Sequence, residues 1–229
     1  MADDLWRQPF VAFDTETTGL GASSRIIEVG GVRFTGRAVL STFQQLVAPG
    51  VPISPGAQAV HGLGDADLAG QPPAEVVLPA FFAFAGDAPL LAHNAPFDLG
   101  MLARECARLG LPPPPNAVFD TRRIAQSLGL GSNGYSLGTL LRTLGLATEG
   151  LHRALADADA ARRLFLATLG WMRHVCTLDD LIALAGPPLA LAEFTVPLPP
   201  LPPVLRCLEE RLGRPALICY GGGSKGGQP

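Results

Sequence analysis

The 229-residue sequence has almost no lysine, few cysteines and no long apolar run. Its single lysine is Lys225, and its four cysteines are far apart and form no CxxC pair, so they indicate neither a zinc site nor a disulfide framework. No apolar stretch reaches the roughly 18 residues that a membrane span needs. The N-terminus, MADDLWRQ, is acidic, unlike a secretory signal. We therefore expect a cytoplasmic protein with reduced thiols and no membrane partner.

The net charge of -3 argues against a broad basic surface of the kind that binds long duplexes without specificity. It does not exclude nucleic acid, because divalent ions gathered by carboxylates would attract phosphate. Arginine supplies nearly all of the positive charge, and it is the better bidentate phosphate ligand. The length of the chain predicts one domain with an appendage.

The order of the predicted elements indicates an α/β layer fold with a mixed sheet. Three strands come first, and strands then alternate with helices. The predicted strands are 10–13, 26–34, 38–47, 89–92 and 117–119. The predicted helices are 74–85, 96–109, 120–128, 136–145 and 154–171.

The character of the sequence changes after about Trp171. The stretch VPLPPLPP at 196–203 predicts an extended polyproline linker or a partner-binding segment. Beyond it, a predicted short helix and strand lead into a glycine-rich tail that lacks the pattern of a phosphate-binding loop. We predict a main domain at 1–172, a helical and proline-rich linker at 173–203 and a short extension of unknown role at 204–229.

The stretch FVAFDTETTGL, residues 10–20, carries two acids separated by one residue where a predicted strand ends. Because side chains alternate along a strand, Asp14 and Glu16 point to the same side. Two hard oxygen ligands side by side suit magnesium or manganese. A strand that runs into a polar turn would show the same residues, so a metal site requires further partners along the chain.

The first partner lies in HNAPFD, residues 93–98, where a strand stops and a helix begins. Asn94 can cap this helix, with Pro96 in its first turn. Asp98 also falls in the first turn, where the helix dipole alone would favour an acid. Leu102 follows it at helical spacing, so the carboxylate lies beside the buried stripe of the helix. A buried carboxylate needs compensation, which a metal would provide.

The second partner lies in LHRALADADAARRLF, residues 151–165. On this helix Asp157 shares the apolar face, whereas Asp159 points away from it and can pair with Arg163. His152 would lie about 140° from Asp157 on a continuous helix, so both reach one site only if His152 precedes the helix. A loop histidine near a metal suits a general base, because imidazole titrates near neutrality. The alternative is an exposed histidine near a helix start.

Five motifs occur in one order along the chain: FDTETTG, AVHGL, HNAPFD, YSLGTL and HRALADA. Together they resemble the DEDDh branch of the DnaQ-like 3'-5' exonucleases, the family of the bacterial proofreading epsilon subunit. The resemblance covers about residues 8–172. It implies a ribonuclease H-like three-layer α/β fold with a mixed β-sheet flanked by helices, followed here by a small Pro/Gly-rich C-terminal extension.

The resemblance also implies the roles of the site residues. Those that would hold two divalent metal ions, Mg²⁺ or Mn²⁺, are Asp14, Glu16, Asp98 and Asp157. His152 would deprotonate the attacking water. The residues expected near the terminal nucleotide are Thr17, Thr18, Leu20, His61, Leu63, Asn94 and Phe97. Three of these, Leu20, Leu63 and Phe97, could instead be packing residues. His61 could have no role beyond capping a turn.

The expected function is hydrolysis of single-stranded DNA from its 3' end to nucleoside 5'-monophosphates, in proofreading or repair. One alternative is a 3'-5' exoribonuclease that trims RNA or short oligonucleotides. Another is a catalytically silent adaptor, which the filled catalytic positions argue against. The expected partners are single-stranded 3' ends, with DNA favoured over RNA, and a polymerase or repair protein bound through the C-terminal tail.

Overall fold

A computed structural model of the chain describes residues 5–172 and 174–194. Its centre is a six-stranded mixed sheet. The strands are β1 Phe10–Thr17, β2 Ile26–Phe34, β3 Val39–Leu46, β4 Leu90–Ala92, β5 Ala117–Asp120 and β6 Leu189–Ala190. Their order in the sheet is β3-β2-β1-β4-β5-β6. The first three strands form an antiparallel meander, β4 and β5 join it in parallel, and β6 pairs antiparallel with β5. The predicted α/β architecture with a mixed sheet is confirmed.

Eight α-helices are present in the described residues: α1 Pro55–His61, α2 Asp65–Leu68, α3 Ala74–Ala85, α4 Ala95–Leu109, α5 Thr121–Ser127, α6 Leu137–Thr143, α7 Ala154–Trp171 and α8 Leu178–Ala185. A 3₁₀ turn follows at Leu191–Phe194. The sequence pattern did not predict α1 or α2. Both are too short to show an apolar period, and α1 begins because the Ser54 side chain accepts the N–H group of Ala57.

The alternation of side chains along β1 divides the core into two layers. Val11 and Phe13 pack with the buried faces of α3 and α4 on one side of the sheet. Phe10 and Ala12 pack with α7 on the other side. Residues with even numbers in β1 therefore point toward α7.

Strand β1 continues four residues past its predicted end. Asp14 pairs with Gly30 and Glu16 with Glu28 of β2, and the register shifts only between Glu16 and Thr17. The prediction stopped at Phe13 because the following residues are polar, but backbone pairing with β2 does not depend on that. Both acids consequently lie inside a strand, on the face that α7 covers.

Residues 174–194, which the sequence assigned to a linker, contribute α8 and β6. Ala190 pairs with Ala117, so this segment adds a strand to the sheet. We propose on this basis that the main domain extends to about Phe194. The predicted polyproline stretch, the short helix and the strand beyond it lie outside the described residues. Among the helices described, none has both the length and the apolar character to cross a bilayer.

Helix α7 begins directly against β2, and Gly30 makes this approach possible. A Cβ atom at position 30 would lie 2.2 Å from the backbone of Ala154 and Leu155. The contact is between main chains, so no side-chain rotation could relieve it. Only glycine fits at this position.

We predict that Gly30→Ala lowers the free energy of unfolding by about 3 kcal/mol, because α7 must shift to admit the methyl group. Gly100→Ala is the matched control. Its added methyl group meets open space on α4, where alanine favours the helix and should raise the free energy of unfolding by about 0.5–1 kcal/mol. Urea denaturation of the two variants measures both effects. Equal stabilities would contradict the close approach of α7 to β2.

Candidate active site

Three carboxylates meet where the end of β1 faces the first turn of α7. Oxygen atoms of Asp14, Glu16 and Asp157 all lie within 4.8 Å of one another. Asp157 Oδ1 is buried and has no hydrogen-bond partner among the described residues. Hard oxygen donors at this spacing fit a divalent cation, which would provide the missing partner.

Asp98 lies beside this cluster, in the first turn of α4. It is 2% exposed, as its predicted place beside the buried stripe required. Its Oδ1 atom accepts two hydrogen bonds from Thr15, one from the backbone N–H at 3.0 Å and one from the hydroxyl at 2.7 Å. Thr15 stands between the two acids of β1 and therefore ties α4 to the site. The Asp98 oxygens do not belong to the close set of three, although the Asp98 charge raises the pKa of Asp14.

The cluster carries more negative charge than a partly dehydrated site tolerates. Burial, followed by repulsion from Asp98 and Asp157, raises the pKa of Asp14 well above its ordinary value. Burial and the charge of Asp157 raise the pKa of Glu16 to about 8. Burial also raises the pKa of Asp98 to about 7, against the opposing effect of the Thr15 hydrogen bonds. A cation among these groups would relieve both the dehydration and the repulsion.

His152 lies in the loop before α7, as the helical geometry predicted. Its backbone is left-handed, with φ 72°, and α7 begins two residues later. Its backbone N–H donates to Asp157 Oδ2 at 3.2 Å, and its side chain is exposed. The histidine and the metal-ligand candidate are therefore tied together by the backbone, with the imidazole open to solvent.

Asp159 separates from Asp157 as predicted. Its carboxylate pairs with Arg163 at 3.0 Å and with Arg162 at 2.7 Å. The predicted i,i+4 pair is confirmed, and these bonds hold the acid on the outer side of α7.

Glu28 is an acid of β2 that the motifs did not single out. It is fully buried and lies opposite Glu16 in the strand register. Its carboxylate accepts hydrogen bonds from Arg153 Nε at 3.0 Å, Arg153 Nη2 at 2.8 Å, the N–H of Ala154 at 3.2 Å and the side chain of Gln44 at 2.8 Å. Burial acts to raise the pKa of Glu28, but these bonds outweigh it and hold the pKa below its ordinary value. The feature of the sequence that could have indicated a role for Glu28 is its position as an acid within the apolar run RIIEVGGV.

The predicted nucleotide-binding residues after β1 fall into two kinds. Thr17 and Thr18 are buried and bond within the turn: the Thr17 hydroxyl donates to the Gly19 carbonyl, and the Thr18 hydroxyl accepts the N–H of Arg25. Leu20 is 85% exposed, so it is not a core residue. The threonines shape the turn, and the turn presents the leucine.

The two predicted residues of AVHGL lie at the end of α1. His61 is buried, and its Nδ1 atom accepts the N–H of Leu63 at 3.0 Å, so it does cap a turn. Its Nε2 atom is buried without a hydrogen-bond partner among the described residues. Leu63 is 6% exposed and packs with Ile27 and Ile53, which is the packing role that the sequence left open.

Asn94 occupies the N-cap position directly before α4, but its side chain does not cap the helix. The predicted cap was wrong because the backbone at Asn94 is left-handed, with φ 62°, and its N–H donates to Asp120. The side-chain oxygen instead accepts a hydrogen bond from Arg122 at 3.0 Å. Phe97 is partly buried and packs against the core under α4.

Known proteins share this arrangement over most of the chain. The RNase T family model, described as exonuclease, matches residues 11–165. The PolC-type DNA polymerase III of Caldanaerobacter subterraneus subsp. tengcongensis is 35% identical over 167 residues, which are 72% of this chain and 12% of that polymerase. The DNA polymerase III subunit epsilon of Treponema pallidum is 36% identical over 159 residues, 68% of this chain and 74% of that subunit.

A solved structure of exonuclease X in complex with 5' overhanging duplex DNA has the same fold. It shares 28% sequence identity with a TM-score of 0.63, and the match covers 77% of this chain and 99% of that one. The span matched by the family model contains the three clustered carboxylates, Asp98 and His152. The chain therefore belongs to the RNase T exonuclease family, the DnaQ-like family that its motifs resemble.

Proposed function

We propose that the protein is a metal-dependent 3'-5' exonuclease that shortens single-stranded DNA to nucleoside 5'-monophosphates. The observation that carries this proposal is the set of three carboxylates at the end of β1 and the start of α7, with a loop histidine beside it. Family membership supports the reaction class. One relative is by name a PolC-type DNA polymerase III and another a DNA polymerase III subunit epsilon, and the exonuclease X structure contains DNA. These relatives support DNA as the substrate and proofreading or repair as the setting.

In this proposal four carboxylates hold two divalent ions, Mg²⁺ or Mn²⁺. The ligands are Asp14, Glu16, Asp98 and Asp157. The unpartnered Oδ1 atom of Asp157 and the raised pKa values of the cluster support a cation there. When bound, the metals lower the pKa of a water molecule and stabilise negative charge on the leaving oxygen.

The protein's own residues then handle the proton and the substrate. His152 accepts the proton of the attacking water, since its backbone N–H is bonded to Asp157 and its imidazole is exposed to solvent. Leu20 contacts the terminal nucleotide from the exposed turn that Thr17 and Thr18 shape. His61 belongs to the same proposed site. Because its Nδ1 atom accepts a hydrogen bond, the neutral ring carries its proton on the buried Nε2 atom, and the backbone of Thr17 interacts with this ring.

Asn94 and Phe97 belong to the same proposed nucleotide site. Phe97 is only partly buried, so part of its ring can stack on a base. Asn94 is exposed, and its side-chain oxygen accepts a hydrogen bond from the Arg122 guanidinium, which therefore lies at the same site. Both residues precede Asp98 at the N-terminal end of α4, which supports their proposed place near the reacting phosphate.

We predict that Asp14→Asn lowers metal-dependent hydrolysis about 1,000-fold or more, because a ligand to the metal is lost. The same change should raise the free energy of unfolding in EDTA, since it removes one of the crowded negative charges. Ladders from 5'-labelled oligonucleotides measure the first effect and urea denaturation the second. Asp159→Asn, an acid of the outer side of α7, is the control and should leave the rate unchanged. An Asp14→Asn variant that retains activity would refute the role of Asp14 as a metal ligand.

We predict that His152→Ala lowers the rate of the chemical step about 100-fold or more, the scale of losing a general base. Binding of Mn²⁺ should persist because the carboxylates remain. Single-turnover hydrolysis and Mn²⁺ titration measure the two properties separately. An unchanged single-turnover rate would remove the histidine from the mechanism.

The preference for DNA over RNA can be tested on matched oligonucleotides. We expect 5'-labelled single-stranded DNA to be shortened faster than RNA of the same sequence, since the relatives named above are DNA enzymes. Faster turnover of RNA would favour the alternative of a 3'-5' exoribonuclease. If the wild-type protein with Mg²⁺ or Mn²⁺ cleaves neither, the alternative of a silent adaptor for a polymerase or repair partner replaces both. The partner role of the C-terminal tail stays a prediction, because that segment lies outside the described residues.

A further inference from the structure

The backbone that presents His152 has an unusual conformation. A residue other than glycine rarely adopts a positive φ, so the surrounding contacts must hold the left-handed conformation at His152. One contact is the hydrogen bond from the His152 N–H to Asp157. This bond is local and spans only five residues, so it cannot fix the loop relative to the sheet. A second contact must do that.

The start of α7 supplies this second contact through a neighbouring strand. Arg153 occupies the N-cap position, but its side chain does not accept a hydrogen bond from the first turn. Glu28 on β2 takes over this function, because its Oε2 atom accepts the N–H of Ala154 at 3.2 Å. The helix is thus capped by an acid that lies 126 residues away in the sequence.

Arg153 binds the same carboxylate with two nitrogen atoms. Nε donates to Oε2 at 3.0 Å and Nη2 to Oε1 at 2.8 Å, which is the planar, bidentate arrangement of a guanidinium and a carboxylate. The residue after His152 is therefore fixed through both its side chain and its position at the helix start. Lysine could keep the charge but not the two parallel bonds.

Glu28 itself is not available as a metal ligand. Both of its oxygens accept hydrogen bonds, Oε1 from Arg153 and Gln44, and Oε2 from Arg153 and Ala154. Its side chain is completely buried, and it does not belong to the close set of carboxylates. Its contacts lead to the start of α7 and hence to His152.

We propose that Glu28 and Arg153 are positioning residues, which hold the His152 loop in the conformation that places the imidazole at the reacting water. This inference rests on the proposed role of His152 as the general base. Loss of the Glu28–Arg153 ion pair lets the loop relax from its left-handed conformation while the metal ligands of β1 stay in place. The positioning effect is on the rate of proton transfer. Glu28 also repels the nearby carboxylates, and any change in metal affinity from the loss of its charge does not depend on His152.

A double-mutant cycle with His152 tests the proposal. In the wild-type background, Glu28→Gln keeps the side-chain size but places an amide against the arginine and the Ala154 N–H. We expect kcat at saturating Mn²⁺ to fall about 10- to 100-fold, with KM changed less than about 2-fold. Any change in Mn²⁺ affinity comes from the lost charge and should be equal with and without His152. In the His152→Ala background, the same substitution should lower kcat less than about 2-fold, because the group that it positions is already absent.

Glu105→Gln is the matched control. Glu105 is also a buried acid with arginine partners, Arg25 at 2.6 Å and Arg108 at 2.7 Å, but it lies on α4. Any loss of activity in this variant should be equal in the two backgrounds. Urea denaturation of both glutamine variants shows whether they are folded to a similar extent.

The outcomes distinguish a failure of the positioning role of Glu28 from a failure of His152 as the general base. An equal loss of kcat from Glu28→Gln in both backgrounds, or no loss in the wild type, overturns the positioning role while leaving the general base intact. An unaffected His152→Ala variant overturns the base itself and this inference with it. If Glu28→Gln does not fold, Arg153→Lys replaces it in the same cycle, since it retains the charge beside Glu28. We expect a smaller loss from it, again confined to the background that has His152.

Discussion

The start of α7 meets the sheet at one place, where Gly30 leaves room for its backbone and Glu28 accepts its first N–H group. Strand β1 alone offers two acids on one face. The third carboxylate, Asp157, and the loop histidine arrive only because α7 is held against β2 at this point. A shift of the helix by the width of one methyl group would separate the two halves of the site. The main-chain contact at Gly30 therefore determines where α7 and Asp157 lie, and the buried ion pair at Glu28 holds the loop that carries His152.

Five acids lie at or near the site, and they differ in how many hydrogen-bond donors their oxygens accept from. Glu28 is saturated by donors, and Asp98 has an oxygen that binds Thr15 twice. Asp14, Glu16 and Asp157 instead face one another, and a buried oxygen of Asp157 has no partner among the described residues. Folding places these three together against their mutual repulsion, which an added cation relieves without the uptake of a proton. Glu28, whose two oxygens are both committed to donors, supports the fold, whereas the three clustered acids, with Asp98 beside them, form the candidate metal site.

Local pattern predicted the elements that carry strong periodicity. The predicted limits of β2, α3 and α7 agree with the structure, and the angular argument correctly placed His152 outside α7. Contacts between distant segments were not predictable in this way. Thr15 and Glu28 act through partners more than 80 residues away, so spacing along the chain gives no hint of them. The error at Asn94 has the same origin, because a bond to Asp120 sets its backbone and turns its side chain away from the helix.

The charge balance of the site bears on how a metal and a nucleic acid would bind under the proposed function. The protein carries a net charge of -3, and Arg153, whose charge acts on Glu16, is committed to Glu28. Arg122 is exposed and donates to the neutral side chain of Asn94, so its charge stays available for a phosphate. One such cation cannot offset three carboxylates that face the same cleft. If the proposed function holds, a nucleic acid backbone is repelled until metal ions reverse the local charge, so we expect metal binding to precede substrate binding and to serve recognition as well as catalysis.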